Sequence, residues 1–235
     1  MIDRARHVSF SQSVAGRALA VIVLLLLFAG AAAAEAQFEK AAVYLERNVA
    51  DDDVEVRVTA KADDRGFAAL RVIAPDGRTV IDFKSTDSRL GIRQFDLESP
   101  ELTDKASVQA DFPEGTYRFE GTLVGGATLR AEATLKHAFA DAPTLSSPRS
   151  GQTELPVKGA KVRWEPVANV ASWEVVLKER NGTREIRTML PASSTVFAIP
   201  DGFLIPGAKY EISVGSVNDG GNRSYQEVEF TAQKR

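Results

Sequence analysis

Leu204-Ile205-Pro206-Gly207-Ala208-Lys209-Tyr210 runs into Glu211-Ile212-Ser213-Val214, and this passage decides how the chain folds. Tyr210, Ile212 and Val214 fall on every second position, which is the period of a half-buried strand rather than of a helix. The same period holds on either side. Upstream, Val162 and Trp164 alternate with polar neighbours, and Trp173, Val175 and Leu177 share one face of a strand that Asn181-Gly182 turns back on itself. Phe197 and Ile199 precede Pro200, and downstream Val228 and Phe230 close the last alternation. Short alternating runs ended by Gly, Pro, Asp or Asn about every ten residues predict an all-β chain of antiparallel sandwiches.

In order along the chain, Trp164, Trp173, Leu204, Pro206 and Tyr210 resemble the marker positions of a fibronectin type III domain, and the resemblance covers Asp141 to Arg235. It implies a Trp on the second strand, an aromatic opening the third, and a tyrosine corner. A strand crossing between two sheets needs its corner pinned, and a Tyr hydroxyl bonded back to the backbone does that. Ser216 stands where the family more often has Ala, a minor departure.

The first half alternates in the same way. Val43 and Leu45, then Val54, Val56 and Val58, are spaced as inward residues. Phe67 to Ala74 and Arg78 to Phe83 flank Ala74-Pro75-Asp76-Gly77, a β-hairpin turn. Tyr117, Phe119 and Leu123 share a face, Gly125-Gly126 turns, and Leu129 to Leu135 continue to His137. The run Phe112 to Gly121 resembles the approach to a penultimate strand in immunoglobulin-like domains of bacterial exported proteins. One stretch breaks the alternation: Glu98-Ser99-Pro100-Glu101, running on to Ala110, reads as one or two helical turns with Ser as cap and Pro at the first position. Ala138 to Ser150, with Pro143 and Pro148, is the predicted linker, short enough to set two sandwiches end to end with limited bending.

The N-terminus is a different kind of sequence. Arg4, Arg6 and Arg17 precede an uncharged apolar run, Ala18 to Ala34, and Ala34-Glu35-Ala36 supplies small residues before a cut at Gln37. This is the pattern of a secretory signal peptide, and without a twin arginine it points to the ordinary export route. The alternative is an uncleaved membrane anchor over residues 18–34, which at 17 residues lies at the lower limit for spanning. The expected organisation is 1–36 signal peptide, 37–140 immunoglobulin-like sandwich and 141–235 fibronectin type III domain, exported to the periplasm or beyond.

Composition excludes several chemistries. Without the leader's three arginines, Asp3 and Glu35, the chain has 26 basic and 30 acidic residues, interspersed and without the basic face nucleic acid requires. There is no cysteine, hence no disulfide, thiol nucleophile or lipidated Cys, and His137 is the one histidine beyond the leader. No catalytic, cofactor-binding or metal-ligating set is expected. Asp51-Asp52-Asp53, with Asp63-Asp64 on a nearby loop, is the calcium candidate; the plainer reading is a turn, since no Asp-x-Asp-x-Asp-Gly loop is present. His137 reads as a surface or interdomain residue, and Trp164 and Trp173 as core rather than a sugar platform. Glu39/Glu46 and Glu98/Glu101 read as surface charge rather than glycosidase pairs. Asn181-Gly182-Thr183 and Asn222-Arg223-Ser224 match the glycosylation pattern, and no Arg-Gly-Asp occurs. The expected function is a non-enzymatic binding protein whose partner is a protein or envelope component, gripped through loops or edge strands, with Asn218 to Ser224 (NDGGNRS) as first candidate. A structural spacer and an accessory module of a hydrolase are the alternatives.

Overall fold

A computed structural model of the protein describes residues 36–87, 89–100 and 105–234, so the predicted leader lies outside the described residues apart from Ala36. The first half contains β1 (Lys40–Asn48), β2 (Asp53–Lys61), β3 (Phe67–Ile73), β4 (Thr79–Lys84), β5 (Gln94–Glu98), α1 (Lys105–Asp111), β6 (Gly115–Leu123) and β7 (Thr128–Leu135). The second contains β8 (Thr144–Ser147), β9 (Gln152–Leu155), β10 (Lys161–Glu165), β11 (Ser172–Glu179), β12 (Glu185–Pro191), β13 (Val196–Ala198), β14 (Lys209–Val217) and β15 (Arg223–Ala232). The all-β reading holds.

Each half lays a three-stranded layer on a four-stranded one. In the first the orders are β1-β2-β5 and β4-β3-β6-β7; in the second, β13-β10-β8 and β12-β11-β14-β15, with β9 parallel to the end of β15. Counted from its own first strand, and setting β9 aside, each half has the same connectivity. Alternation explains both cores. Val54, Val56, Val58 and Ala60 point inward from β2 onto Phe67, Leu70, Tyr117 and Phe119. Trp164, Trp173, Val175, Ile212, Val214 and Phe230 form a second cluster. The hairpin between β3 and β4 closes through Ala74 N–H to Arg78 O, with Gly77 at a φ of +87° that disfavours any side chain.

Both halves pin the entry to their penultimate long strand with a tyrosine. Tyr210 hydroxyl accepts Ile205 N–H at 2.8 Å and reaches Phe203 O at 3.4 Å. Tyr117 hydroxyl donates to Pro113 O at 3.1 Å, inside the run that marked the first half.

The helix expected after Ser99 is present among the described residues as α1 (Lys105–Asp111), and the first turn predicted for it, at residues 101–104, lies outside the described set. Ser99 prolongs the β2–β5 pairing: its N–H donates to Val56 O at 3.0 Å and its Oγ accepts Val56 N–H at 2.9 Å. One expectation needs correction: the halves are not merely end to end. Glu46, Arg47 and Asn48 of β1 pair in parallel with Arg223, Ser224 and Tyr225 of β15, so the four-stranded layer of the second half and the three-stranded layer of the first become one continuous sheet.

Candidate functional site

The seam between the halves gathers polar groups that the sandwich cores exclude, and it has two sides. On one side, linker carbonyls are satisfied by the second half and by β1. Asn222 is fully buried; its Nδ2 donates to Lys136 O at 2.6 Å and Ala138 O at 2.9 Å, while its Oδ1 accepts Leu45 N–H at 2.8 Å. Asn218 Nδ2 donates to Ala138 O, and its Oδ1 accepts the N–H groups of Gly220 and Asn222, which fixes the loop that presents Asn222. Ser224 Oγ and an Arg47 Nη both donate to Ala140 O, and Arg47 lies over the Phe139 ring at 4.8 Å. Ser216 Oγ donates to Asp141 O at 2.7 Å. The hydroxyl of Ser216 is therefore a linker contact.

On the other side, strand register brings charged residues of both halves onto one face. Arg223 Nη1 donates to Glu46 Oε1 at 2.8 Å and to Glu174 Oε2 at 2.7 Å. Arg187 donates to Glu174 Oε1 at 3.0 Å, and Tyr225 hydroxyl donates to Glu174 as well. Arg57 serves Glu98 at 2.7 Å, Asp96 at 3.0 Å and Glu46 at 3.5 Å. Positive and negative groups thus alternate from β2 through β1, β15 and β11 to β12. Arg223 lies 4.5 Å from the Tyr44 ring centroid, a cation–π contact that offsets part of its desolvation and explains why Tyr44 is buried on an outward position. Gly215 lies beneath Tyr225: a Cβ there would come within 2.5 Å of the ring, so only glycine lets it lie flat.

This face holds a recess of about 350 Å³, with Glu46 and Tyr225 from the seam, Glu55, Arg57 and Glu98 from the first half, and Lys178, Arg187 and Glu227 from the second. Its electrostatics follow from crowding. Burial raises the pKa of Glu46, against the pull of Arg223 and Arg57. Burial likewise raises Glu227. Burial, then the hydrogen bond and charge of Glu98, push the Glu55 carboxyl up to about 8. Burial and the carboxylates of Glu46 and Glu174 carry the Tyr225 hydroxyl above its ordinary range.

The candidates read from sequence fall as follows. In Asn218 to Ser224 the side chains of Asn218, Asn222 and Ser224 are spent on the linker and β1 and that of Arg223 on Glu46 and Glu174, while Asp219 stays exposed; Asn222 is too buried to accept a glycan in the folded chain. Asn181 stays on an exposed turn. Asp51 and Asp53 hydrogen-bond Asn48 across the β1–β2 turn, with Asp52 at a φ of 54°. Asp63 and Asp64 lie at the far end of β2, roughly 30 Å away at ~3.3 Å per residue, and pair with Arg65 and Arg93. Among the described residues no group of three His, Cys, Asp or Glu is placed to hold a metal ion. His137 Nε2 bonds Phe112 O at 2.8 Å and its backbone N–H bonds Glu114, so it ties the strand end to the turn before β6. Trp164 and Trp173 are 2% and 0% exposed and pack edge to face, leaving no platform. Glu39 pairs with Lys61, Glu98 with Arg57, and Glu101 lies outside the described residues. Sequence reasoning missed Glu46, Glu174, Arg223 and Tyr225 as a set. Their common signal was weak: four polar or bulky residues on outward strand positions, Glu174 lying 49 and 51 residues from Arg223 and Tyr225, and Glu46 joined to Arg223 only through a pairing 177 residues apart.

No family model and no curated protein matches the chain. Solved structures do. The chain is similar to the fibronectin type III domain of human collagen XX (15% identity, 40% of this chain and 88% of that one, TM-score 0.30). It is similar to a two-domain fibronectin type III segment of chicken tenascin (13%, 83% and 95%, 0.31) and to fibronectin(III)-like modules of Clostridium thermocellum CbhA (10%, 83% and 93%, 0.34). These likenesses carry nothing about ligand or activity. Strand order and the tyrosine corner are what give the chain a fibronectin type III-like fold.

Proposed function

We propose that the chain is an exported, non-enzymatic interaction protein that engages its partner, a protein or envelope component, through the recess on the shared sheet face. The observation that carries this reading is the convergence of side chains from both halves on one recess. A site that exists only when the two modules are joined gives the joining a purpose. The leader pattern supports export, and the sandwich modules are of a kind that commonly bind or space. Rigid positioning of the two halves also suits a structural spacer held at the membrane by an uncleaved leader; among the described residues no helix is long and apolar enough to span. N-terminal sequencing of the protein from its cell separates these, since a spacer tethered this way begins at Met1.

Photo-crosslinking in the native cell tests the binding reading. A crosslinkable residue at Glu55 or Lys178 is expected to capture a partner that the same residue at Arg118, on the far face of the first half, does not. Equal capture at all three positions, or none at Glu55 and Lys178, overturns it.

A further inference from the structure

We infer that Asn222 is a latch that makes the two halves one cooperative unit with a fixed mutual orientation. The side chain meets three backbone groups from two places: Leu45 N–H of β1, and the carbonyls of Lys136 and Ala138 where the chain leaves β7. It has no exposure to water, so Leu45 N–H and Lys136 O lose the bond it gives them when the amide is removed, while Ala138 O keeps only Asn218 Nδ2; a buried backbone group without a partner is destabilising. The loop that holds it is itself closed, by Asn218 N–H to Asn222 O and Gly221 N–H to Asn218 O, so the amide arrives already oriented. Immediately beyond it come the three residues of β15 that pair with β1, and Val49 N–H to Tyr225 O extends that pairing by one step. A three-residue parallel ladder is too short to hold two domains by itself, and parallel pairing is the weaker kind. Asn222 stands at the point where the ladder begins and seals its open end.

The Arg223 bridge on the opposite face adds specificity of register. Its two carboxylates come from different halves, and sliding the strands by one residue would point Arg223 into the wrong layer. Linker, latch and bridge together mean that neither half unfolds or turns without disturbing the other. This holds whether or not the recess binds anything, so its failure and the failure of the binding reading are separate results.

The tests use two readouts. Both tryptophans lie in the second half, so their fluorescence follows that half while far-ultraviolet circular dichroism follows the whole. In urea the two transitions of the wild-type protein are expected to coincide, and in Asn222→Ala to separate, with the fluorescence midpoint the less shifted. The chain has no cysteine, so spin labels on Glu132→Cys and Arg163→Cys report the distance between halves directly. One narrow distance peak is expected with Asn222 present and a broadened distribution with Asn222→Ala. Should that variant fail to fold, Ser216→Ala, which removes a single linker bond, is expected to broaden the same peak partially. Non-coincident wild-type transitions, a broad wild-type distribution, or Asn222→Ala with unchanged midpoints and an unchanged peak each overturn the inference.

Discussion

The two halves share a strand order and differ in what fills it. The second is built around Trp164 and Trp173, with ring centroids 5.6 Å apart, and a Tyr210 whose hydroxyl both accepts and donates. The first has no tryptophan; Phe38, Phe67 and Phe119 cluster instead, its Tyr117 makes a single corner bond, and a short helix carries its crossover. One connectivity is therefore compatible with two quite different cores. The frame is set by where strands turn and which residues alternate, and the identity of the large residues decides how firmly each half is held.

The largest break in that comparison is expected from Trp173→Ala. The side chain is wholly buried, packs on Trp164 and donates from Nε1 to Ala192 O at 3.0 Å. Removing it should cost about 3–5 kcal/mol, read from urea denaturation followed by the fluorescence of the remaining Trp164. A cost under about 1 kcal/mol would mean the pair is not the centre of the second core.

The corners sharpen the comparison. Tyr210→Phe orphans the Ile205 N–H as well as losing a donor, so about 1–3 kcal/mol is expected. Tyr117→Phe loses one donor to Pro113 O, and about 0.5–1.5 kcal/mol is expected. Thermal or urea denaturation of the two variants side by side checks the ranking; the reverse order would show that the first-half corner is the more rigid.

These contrasts also show what the sequence made legible. Val54, Val56 and Val58, or Tyr210, Ile212 and Val214, announce their faces because burial is a local, period-two property. The turn at Asp76-Gly77 is equally local. Glu46 and Arg223 announce nothing, because their meeting depends on β15 lying beside β1, and no neighbour in sequence encodes that. In sequence Asn222 looks like part of an open loop for the same reason: Asn-Asp-Gly-Gly-Asn is turn chemistry wherever it occurs, and whether such a turn faces solvent or another domain is a tertiary matter. Ser216 was the single hint. A hydroxyl at a position otherwise suited to Ala, on a buried strand, has to find a partner, and here that partner is Asp141 O. Ser216→Ala should accordingly cost about 1 kcal/mol, measured by urea denaturation, and Ser216→Val more, since the position is fully buried.

The smallest expected effect belongs to Glu55, and it distinguishes the outward face of the seam from the cores. Burial and the neighbouring Glu98 raise its carboxyl from an ordinary value near 4.5 to about 8. The folded chain therefore holds this proton more tightly than the unfolded chain does. The stabilisation from that proton is fully present below about pH 4.5 and is lost as pH rises through about 8. Glu55 is only partly buried, so solvent screening keeps the effect modest. Glu55→Gln keeps the shape and removes the titration. Its stability relative to wild type is expected to rise between pH 5 and 8.5, near zero at the acidic end and positive at the alkaline end, in thermal denaturation at constant ionic strength. Trp173→Ala and Tyr117→Phe, whose effects come from packing and a neutral hydrogen bond, should shift stability by the same amount at every pH in that range. A Glu55→Gln difference that is flat with pH would show that Glu55 titrates as an ordinary surface carboxylate and that the recess does not crowd its charges.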